Sequence, residues 1–224
     1  MREPTFSRSR RRARQRRLLR TLGSLVVLIA ITAVAVSLLG GEEAPEEEPP
    51  TPKVAFAGAF TGYGEKGPSK ERVDAEGAAI VALLDQWYQT AFVEVEGFGD
   101  GTFPQVAALF AESARASFTE DVAALTIGPA ALEVSRVEPE DATATISIYF
   151  EDGVDPTYAT AQVAFAATAA MKDEAAFPLS IAQEVTLFLE HTGEGWLVGT
   201  WYDVTQRQDS IVATASPSPT GGAS

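Results

Sequence analysis

The feature that most constrains this 224-residue chain is an apolar stretch, residues 21–41, that contains no ionisable side chain. As an α-helix, a stretch of this length reaches about 30 Å, which matches the hydrocarbon thickness of a lipid bilayer. Inside a bilayer every backbone polar group must be bonded within the segment, so such a stretch becomes a helix. The sequence therefore predicts a single transmembrane helix at residues 21–41, in contact with membrane lipid.

The charges on either side of this stretch predict its orientation. Residues 1–20 carry nine arginines and one acidic residue, whereas residues 41–224 carry 8 basic and 30 acidic residues. Basic residues next to a spanning helix stay on the cytoplasmic side. We therefore expect a cytoplasmic arginine-rich segment at residues 1–20 and a large extracytoplasmic part, held at the cell membrane by a single pass.

Other interpretations of the N-terminus remain open. Ala33-Val34-Ala35 has the composition of a signal-peptide cleavage site, although it lies inside the apolar stretch and not after it. Arg16-Arg17 could belong to a twin-arginine export signal. Lipid attachment through cysteine is excluded because the chain has no cysteine. The strongly acidic outer part should repel nucleic acid, so we expect no nucleic-acid partner.

Two regions flanking the expected domain are predicted to lack regular structure. Residues 42–68 form an acidic Pro/Gly-rich linker, in which residues 42–53 act as a stiff spacer and residues 54–68 are irregular. Gly62, Gly64 and Gly67 have the spacing of a dinucleotide-binding fingerprint, but no strand is predicted before them, so we interpret the match as accidental. Residues 205–224 are predicted to be a disordered tail.

The intervening residues 69–204 are predicted to form one α+β domain. Apolar residues at steps of three and four indicate a helix at 69–95, which Ser69 would cap, followed by helices at 102–117 and 120–126. The period then changes to two, which predicts strands at residues 132–137, 142–150, 157–171, 180–190 and 196–204. Because the connections are short, we expect three N-terminal helices packed on one curved antiparallel sheet.

Helices followed by antiparallel strands that end in Gly195-Trp-Leu-Val-Gly-Thr-Trp-Tyr-Asp203 resemble the NTF2-like (SnoaL-like) cone fold. An anchor followed by such a domain is also similar to the membrane proteins associated with mammalian-cell-entry lipid transporters of high-GC Gram-positive bacteria, and to some conjugation-apparatus subunits. This resemblance implies a non-enzymatic accessory or interaction module of a cell-envelope or transport assembly, with an envelope protein as its partner. It also implies that two copies could form a homodimer through the sheet.

The resemblance further implies a pocket inside the cone, because family enzymes place an acid–base group there. The pocket candidates in this chain are Asp85, Trp87, Tyr88, Tyr149, Trp201 and Asp203. Two alternatives therefore remain: a binder of a small apolar ligand, and an isomerase- or cyclase-type enzyme that uses Asp85 with Tyr88. The simpler interpretation is that the aromatic residues belong to the hydrophobic core and that the two carboxylates are surface groups.

No catalytic residue, metal ligand or cofactor is predicted. The single histidine, His191, precedes a glycine turn and is interpreted as a surface residue at a hairpin end. No Ser/His/Asp set can be assembled around it, and no metal-ligand spacing is present in the sequence. The leading hypothesis is therefore an interaction module without enzymatic activity.

Overall fold

The computed structural model describes residues 51–99 and 101–211, which belong to one compact unit. The predicted cytoplasmic segment, the predicted transmembrane helix and residues 42–50 of the predicted linker lie outside these residues. Within the described part of the chain, no helix is both long and apolar enough to cross a membrane.

The described residues form an α+β fold, as the sequence predicts. In chain order the elements are β1 (Ala57–Tyr63), α1 (Lys70–Tyr88), α2 (Pro104–Ala107), α3 (Arg115–Leu125), β2 (Val134–Glu151), β3 (Asp155–Met171), β4 (Leu179–Thr192) and β5 (Gly195–Ser210). A π-helical turn at Gln89–Val93 extends α1, and short 3₁₀ turns lie at Val95–Phe98, Glu112–Ala114 and Gly128–Leu132.

The five strands form one sheet in the order β1-β2-β3-β4-β5. β1 runs parallel to β2, whereas all other neighbours are antiparallel, so the expectation of a wholly antiparallel sheet is wrong. The strands expected at 132–137 and 142–150 are one strand, β2. A bulge between Pro139 and Asp141 lets β2 continue past a proline that cannot donate to the sheet.

Strand β1 lies in a region predicted to be irregular, and that prediction is wrong for Ala57–Tyr63. Its glycines are explained by the close approach of α1. A Cβ atom added at Gly58 would lie 2.8 Å from Val81, and one added at Gly77 of α1 would lie 2.5 Å from the ring of Phe60. Glycine is needed at both positions because the helix packs directly against the strand.

The first predicted helix is confirmed, whereas the second is wrong. Ser69 caps α1, since its hydroxyl accepts from the backbone N–H of Arg72 at 3.3 Å. The helix predicted at 102–117 is limited to α2, because the backbone of Leu109 and Ala111 bonds to Val198 of β5. The predicted third helix at 120–126 corresponds to α3, which begins earlier, at Arg115.

Strand β5 continues beyond the end predicted for the domain. The predicted tail, 205–224, is therefore wrong for residues 205–210, which pair with Leu179–Glu184 of β4. Two amide side chains hold this end of β5 against the end of α3: Gln206 donates to the carbonyl of Thr126 at 2.9 Å, and Gln208 donates to that of Ile127 at 2.8 Å.

Candidate functional site

The interior of the domain, between α1 and the sheet, is the place where the sequence predicts a pocket. Tyr88 donates its hydroxyl hydrogen to Oε1 of Gln183 at 2.5 Å, and Nε2 of Gln183 donates to the carbonyl of Ala124 at 2.6 Å. Tyr88 is 0% exposed and Gln183 is 1% exposed. Burial raises the pKa of the Tyr88 hydroxyl well above its usual value. This phenol therefore keeps its proton at neutral pH.

The end of α3 explains why these polar groups are buried. Four consecutive backbone carbonyls, at residues 124–127, accept hydrogen bonds from side chains of α1, β4 and β5. The donors are Gln183, Trp87, Gln206 and Gln208. A helix end leaves its last carbonyls without partners inside the helix, and a buried end must satisfy them in another way. The polar interior thus serves the fold.

Aromatic side chains fill the space around this network. The ring of Tyr88 lies 4.9 Å from that of Phe56, 5.1 Å from that of Phe92 and 5.0 Å from that of Phe165, measured between centroids. Trp87 is 0% exposed and packs edge-on against Phe110 at 5.1 Å. The predicted pocket candidates Trp87 and Tyr88 are therefore core residues.

Trp201 belongs to the same packing from the side of β5. Its ring lies 5.4 Å from Phe110 in an edge-to-face arrangement, and its Nε1 donates to Oδ2 of Asp121 at 3.0 Å. This bond ties β5 to α3. The residue is half-buried and does not line either of the two clefts described below.

Asp85 lines an open cleft of about 730 Å³ beside the C-terminal part of α1, and Tyr88 does not line that cleft. Its Oδ1 accepts from the backbone N–H of Phe56 at 2.8 Å. One turn later, Gln89 accepts from the N–H of Val54 at 2.9 Å and donates to the carbonyl of Pro52 at 3.2 Å. These two side chains hold the extended segment 52–56 on the helix. They bond to backbone groups that a neighbouring strand would bond to in a sheet.

Asp203 lies on the opposite side of the sheet, in a shallow groove of about 340 Å³. It occupies a bulge of β5 and has a positive φ of 54°. The groove is also lined by Glu184, Gln162 and the threonines at 143, 145 and 186. Its lining contains two carboxylates and no basic side chain. It therefore favours cationic or hydrogen-bond-donating groups.

Tyr149 belongs to a row of four aromatic rings that crosses this outer face of the sheet. Its ring stacks on Tyr63 at 5.1 Å and on Tyr158 at 4.4 Å, and Tyr158 stacks on Phe188 at 5.3 Å. The rings are stacked, so each ring covers part of its neighbour's face. Such cross-strand stacking stabilises the sheet, and we name these four residues the aromatic row.

A buried carboxylate, Glu76, was not identified by the sequence analysis. It is 9% exposed, accepts from Nε1 of Trp196 at 2.9 Å and pairs with Arg72 at 3.2 Å. The ring of His191 lies 4.9 Å from that of Trp196, so this histidine is half-buried at the end of β4. The position of Glu76 on the strongly apolar face of α1 is the signal that could have marked it.

Within residues 51–99 and 101–211, no three His, Cys, Asp or Glu side chains are grouped so that they could hold a metal ion. Of the six predicted pocket candidates, the structure brings Trp87, Tyr88 and Trp201 together as packing residues. It places Asp85, Tyr149 and Asp203 at separate surfaces. No protein-family model, curated protein or solved structure matches this chain. The described residues define an α+β domain in which packed side chains occupy the interior.

Proposed function

We propose that this chain is a membrane-anchored, extracytoplasmic NTF2-like domain that acts as a non-enzymatic interaction module of a cell-envelope or transport assembly. The observation that carries the proposal is the state of the interior. The buried groups suited to acid–base chemistry are Tyr88 and Glu76, and both are used by internal hydrogen bonds, to Gln183 and from Trp196. Aromatic side chains fill the space around Tyr88. The domain would then act through its outer surfaces, by binding another protein.

The arrangement of α1 on a sheet of long strands supports the NTF2-like part of the proposal. The same arrangement argues against the two pocket functions. An apolar ligand would have to displace the side chains of Tyr88, Phe92 and Phe165, which already contact each other. An acid–base pair of Asp85 and Tyr88 would need both groups at one substrate. Asp85 instead binds the N–H of Phe56 in an open cleft, while Tyr88 is fully buried.

The charge of the domain indicates the kind of partner. Residues 51–211 contain 25 acidic and 8 basic residues, a net charge of −17. Like charges oppose association with nucleic acid and with anionic surfaces, whereas neutral or basic protein surfaces fit. We therefore propose that the partner is an envelope protein that binds the domain on the outer side of the membrane.

The proposal is tested with the full-length chain, tagged at its C-terminus and extracted from its own membranes in a mild detergent. We expect it to be retained in a complex of defined mass with another envelope protein. Purification from the same membranes of an Asp85→Asn variant, whose surface is otherwise unchanged, is the matched control and should retain the same complex. A chain that purifies without any partner in every detergent would contradict the proposal. An isomerase or cyclase activity that is present in the wild type and lost in Asp85→Asn would contradict it as well.

A further inference from the structure

We propose that the outer edge of β1 binds an extended segment of the partner protein, which adds to the sheet as a sixth strand. This inference rests on the proposed function, because it names the surface and the partner chemistry through which the interaction module would act. Main-chain hydrogen bonds would give affinity, and side chains on the two faces of the added strand would give specificity.

In the part of the chain that the structure describes, β1 has only one neighbouring strand. It lies at the end of the sheet order and pairs with β2 alone. Among the described residues, no backbone hydrogen bond joins Ala57–Tyr63 to any segment other than β2. In a strand of this length, about three peptide N–H and C=O pairs point away from the sheet, because successive residues alternate in direction.

β1 lacks the charges and prolines that protect an edge strand. Its sequence, AGAFTGY, contains no charge and no proline. The opposite edge, β5, has both a bulge at Asp203 and the charged residues Arg207 and Asp209. The backbone of Val198 on that edge is also bonded to Leu109 and Ala111. The contrast between the two edges indicates that β1 is covered by another chain when the protein acts.

The position of α1 over β1 distinguishes a partner segment from a second copy of this chain. Gly77 of α1 lies against Phe60, the middle residue of β1, so the helix passes directly over the strand. Paired strands lie about 4.8 Å apart, whereas packed helices need about 8–10 Å between their axes. Two copies paired antiparallel through β1 around Phe60 would carry both α1 helices on the same face of the joined sheet, where the helices would collide. A single extended segment carries no such helix.

The faces of β1 define the chemistry of the segment. On the outer face, Tyr63 ends the aromatic row and is 46% exposed, so a neighbouring aromatic or β-branched side chain would extend the stack. On the other face, the added strand would lie beside Phe60 and the flank of α1, where exposed Ala78 and Ala82 leave room for apolar side chains. The occupant is therefore an extended strand of an envelope protein with apolar side chains on both faces.

The experiment uses the full-length chain in its own membranes, with the photo-crosslinker benzoylphenylalanine placed at one position at a time. The edge position is Thr61, and the matched exposed controls are Thr145 on the outer face and Thr205 on β5. We expect a discrete adduct with another protein from Thr61 that exceeds those from both controls. In the purified complex, amides of residues 57–63 should exchange hydrogen at least about tenfold more slowly than in the chain alone.

Four outcomes overturn the inference. An adduct of two copies of this chain would show that the edge pairs with itself. An adduct from Thr61 without slower exchange at residues 57–63 would indicate side-chain contact without strand addition. A partner adduct from Thr145 or Thr205 but none from Thr61 would leave the proposed function intact and remove the edge as its site. The absence of any adduct at all three positions would contradict both proposals.

Discussion

The hydroxyl of Tyr88 lies at the centre of the domain, where it donates to Gln183 and is shielded from water. A Tyr88→Phe variant removes this donor and leaves Oε1 of Gln183 buried without its partner. We expect the free energy of unfolding at pH 7 to fall by about 1–3 kcal/mol, the usual cost of such a group. Urea unfolding followed by tryptophan fluorescence measures this change. A Tyr202→Phe variant, altered at an exposed position, is the control and should be unchanged.

The pH dependence of the same variant provides a second prediction at this scale. An unfolded tyrosine titrates near pH 10, whereas burial raises the pKa of Tyr88 in the folded chain. Stability from this group is therefore complete below about pH 10. Above that pH the unfolded chain releases a proton that the folded chain keeps, and stability falls by up to about 1.4 kcal/mol per pH unit. Tyr88→Phe lacks this loss, so its stability deficit relative to the wild type should shrink above pH 10; a constant deficit would contradict the assignment.

Individual residues also show what the sequence could predict. The spacing of Trp87 and Tyr88 on an apolar helix face is typical of core residues, and that interpretation agrees with their burial. The partner of Tyr88 could not be predicted, because Gln183 lies 95 residues away along the chain. A glutamine within an alternating strand gives no sign that its amide will meet the end of a helix.

At the scale of elements, the contact between β1 and α1 depends on the absence of side chains at the glycines. Gly77→Ala would usually stabilise a helix by about 0.5–1 kcal/mol. Here the new methyl group would meet the ring of Phe60, so we expect destabilisation by about 1–3 kcal/mol instead. In a Phe60→Ala background the same change should become neutral or stabilising. Thermal unfolding of the four chains measures the coupling, and Gly97→Ala, which meets no neighbouring atom within 4 Å, is the control.

β1 also shows why some elements could not be read from the sequence. Long α1 and the alternating strands β3 and β4 carry strong periodic patterns, and each is found where it was predicted. β1 has two alanines and two glycines among its seven residues, a composition typical of a loop. It becomes a strand because it pairs with β2 and because α1 packs closely against it at Gly58 and Phe60, and both causes are non-local.

The end of β5 gives a further prediction at this scale. A chain that stops after Val204 loses the last part of the strand together with the bonds from Gln206 and Gln208 to the carbonyls after α3. Each lost bond costs about 0.5–1.5 kcal/mol, and the buried carbonyls lose their donors as well. We expect a lower thermal midpoint than in a chain that stops after Ile211, which keeps the whole strand. Equal midpoints would show that residues 205–210 add nothing to the fold.

At the scale of the whole molecule, the described domain is acidic, whereas the segment before the predicted transmembrane helix is rich in arginine. Side chains of α1 and the turn after it bond to residues 52–56, which include the last two residues of the predicted spacer, so the domain begins where that spacer ends. A protein of this organisation would present the outer surfaces of the domain to other envelope proteins. This arrangement depends on the predicted topology, which can be measured directly.

The chain has no cysteine, so a single introduced cysteine is the only thiol and can report its own side of the membrane. We expect Ser113→Cys, at an exposed position of the domain, to react with a membrane-impermeant maleimide in intact cells. Ser9→Cys in the arginine-rich segment should react only after the cells are permeabilised, because arginines beside a spanning helix stay in the cytoplasm. Labelling of Ser9→Cys in intact cells would reverse the predicted orientation. Loss of that cysteine from the mature chain would show that residues 21–41 are a cleaved signal, and the tethered module would then be a secreted one.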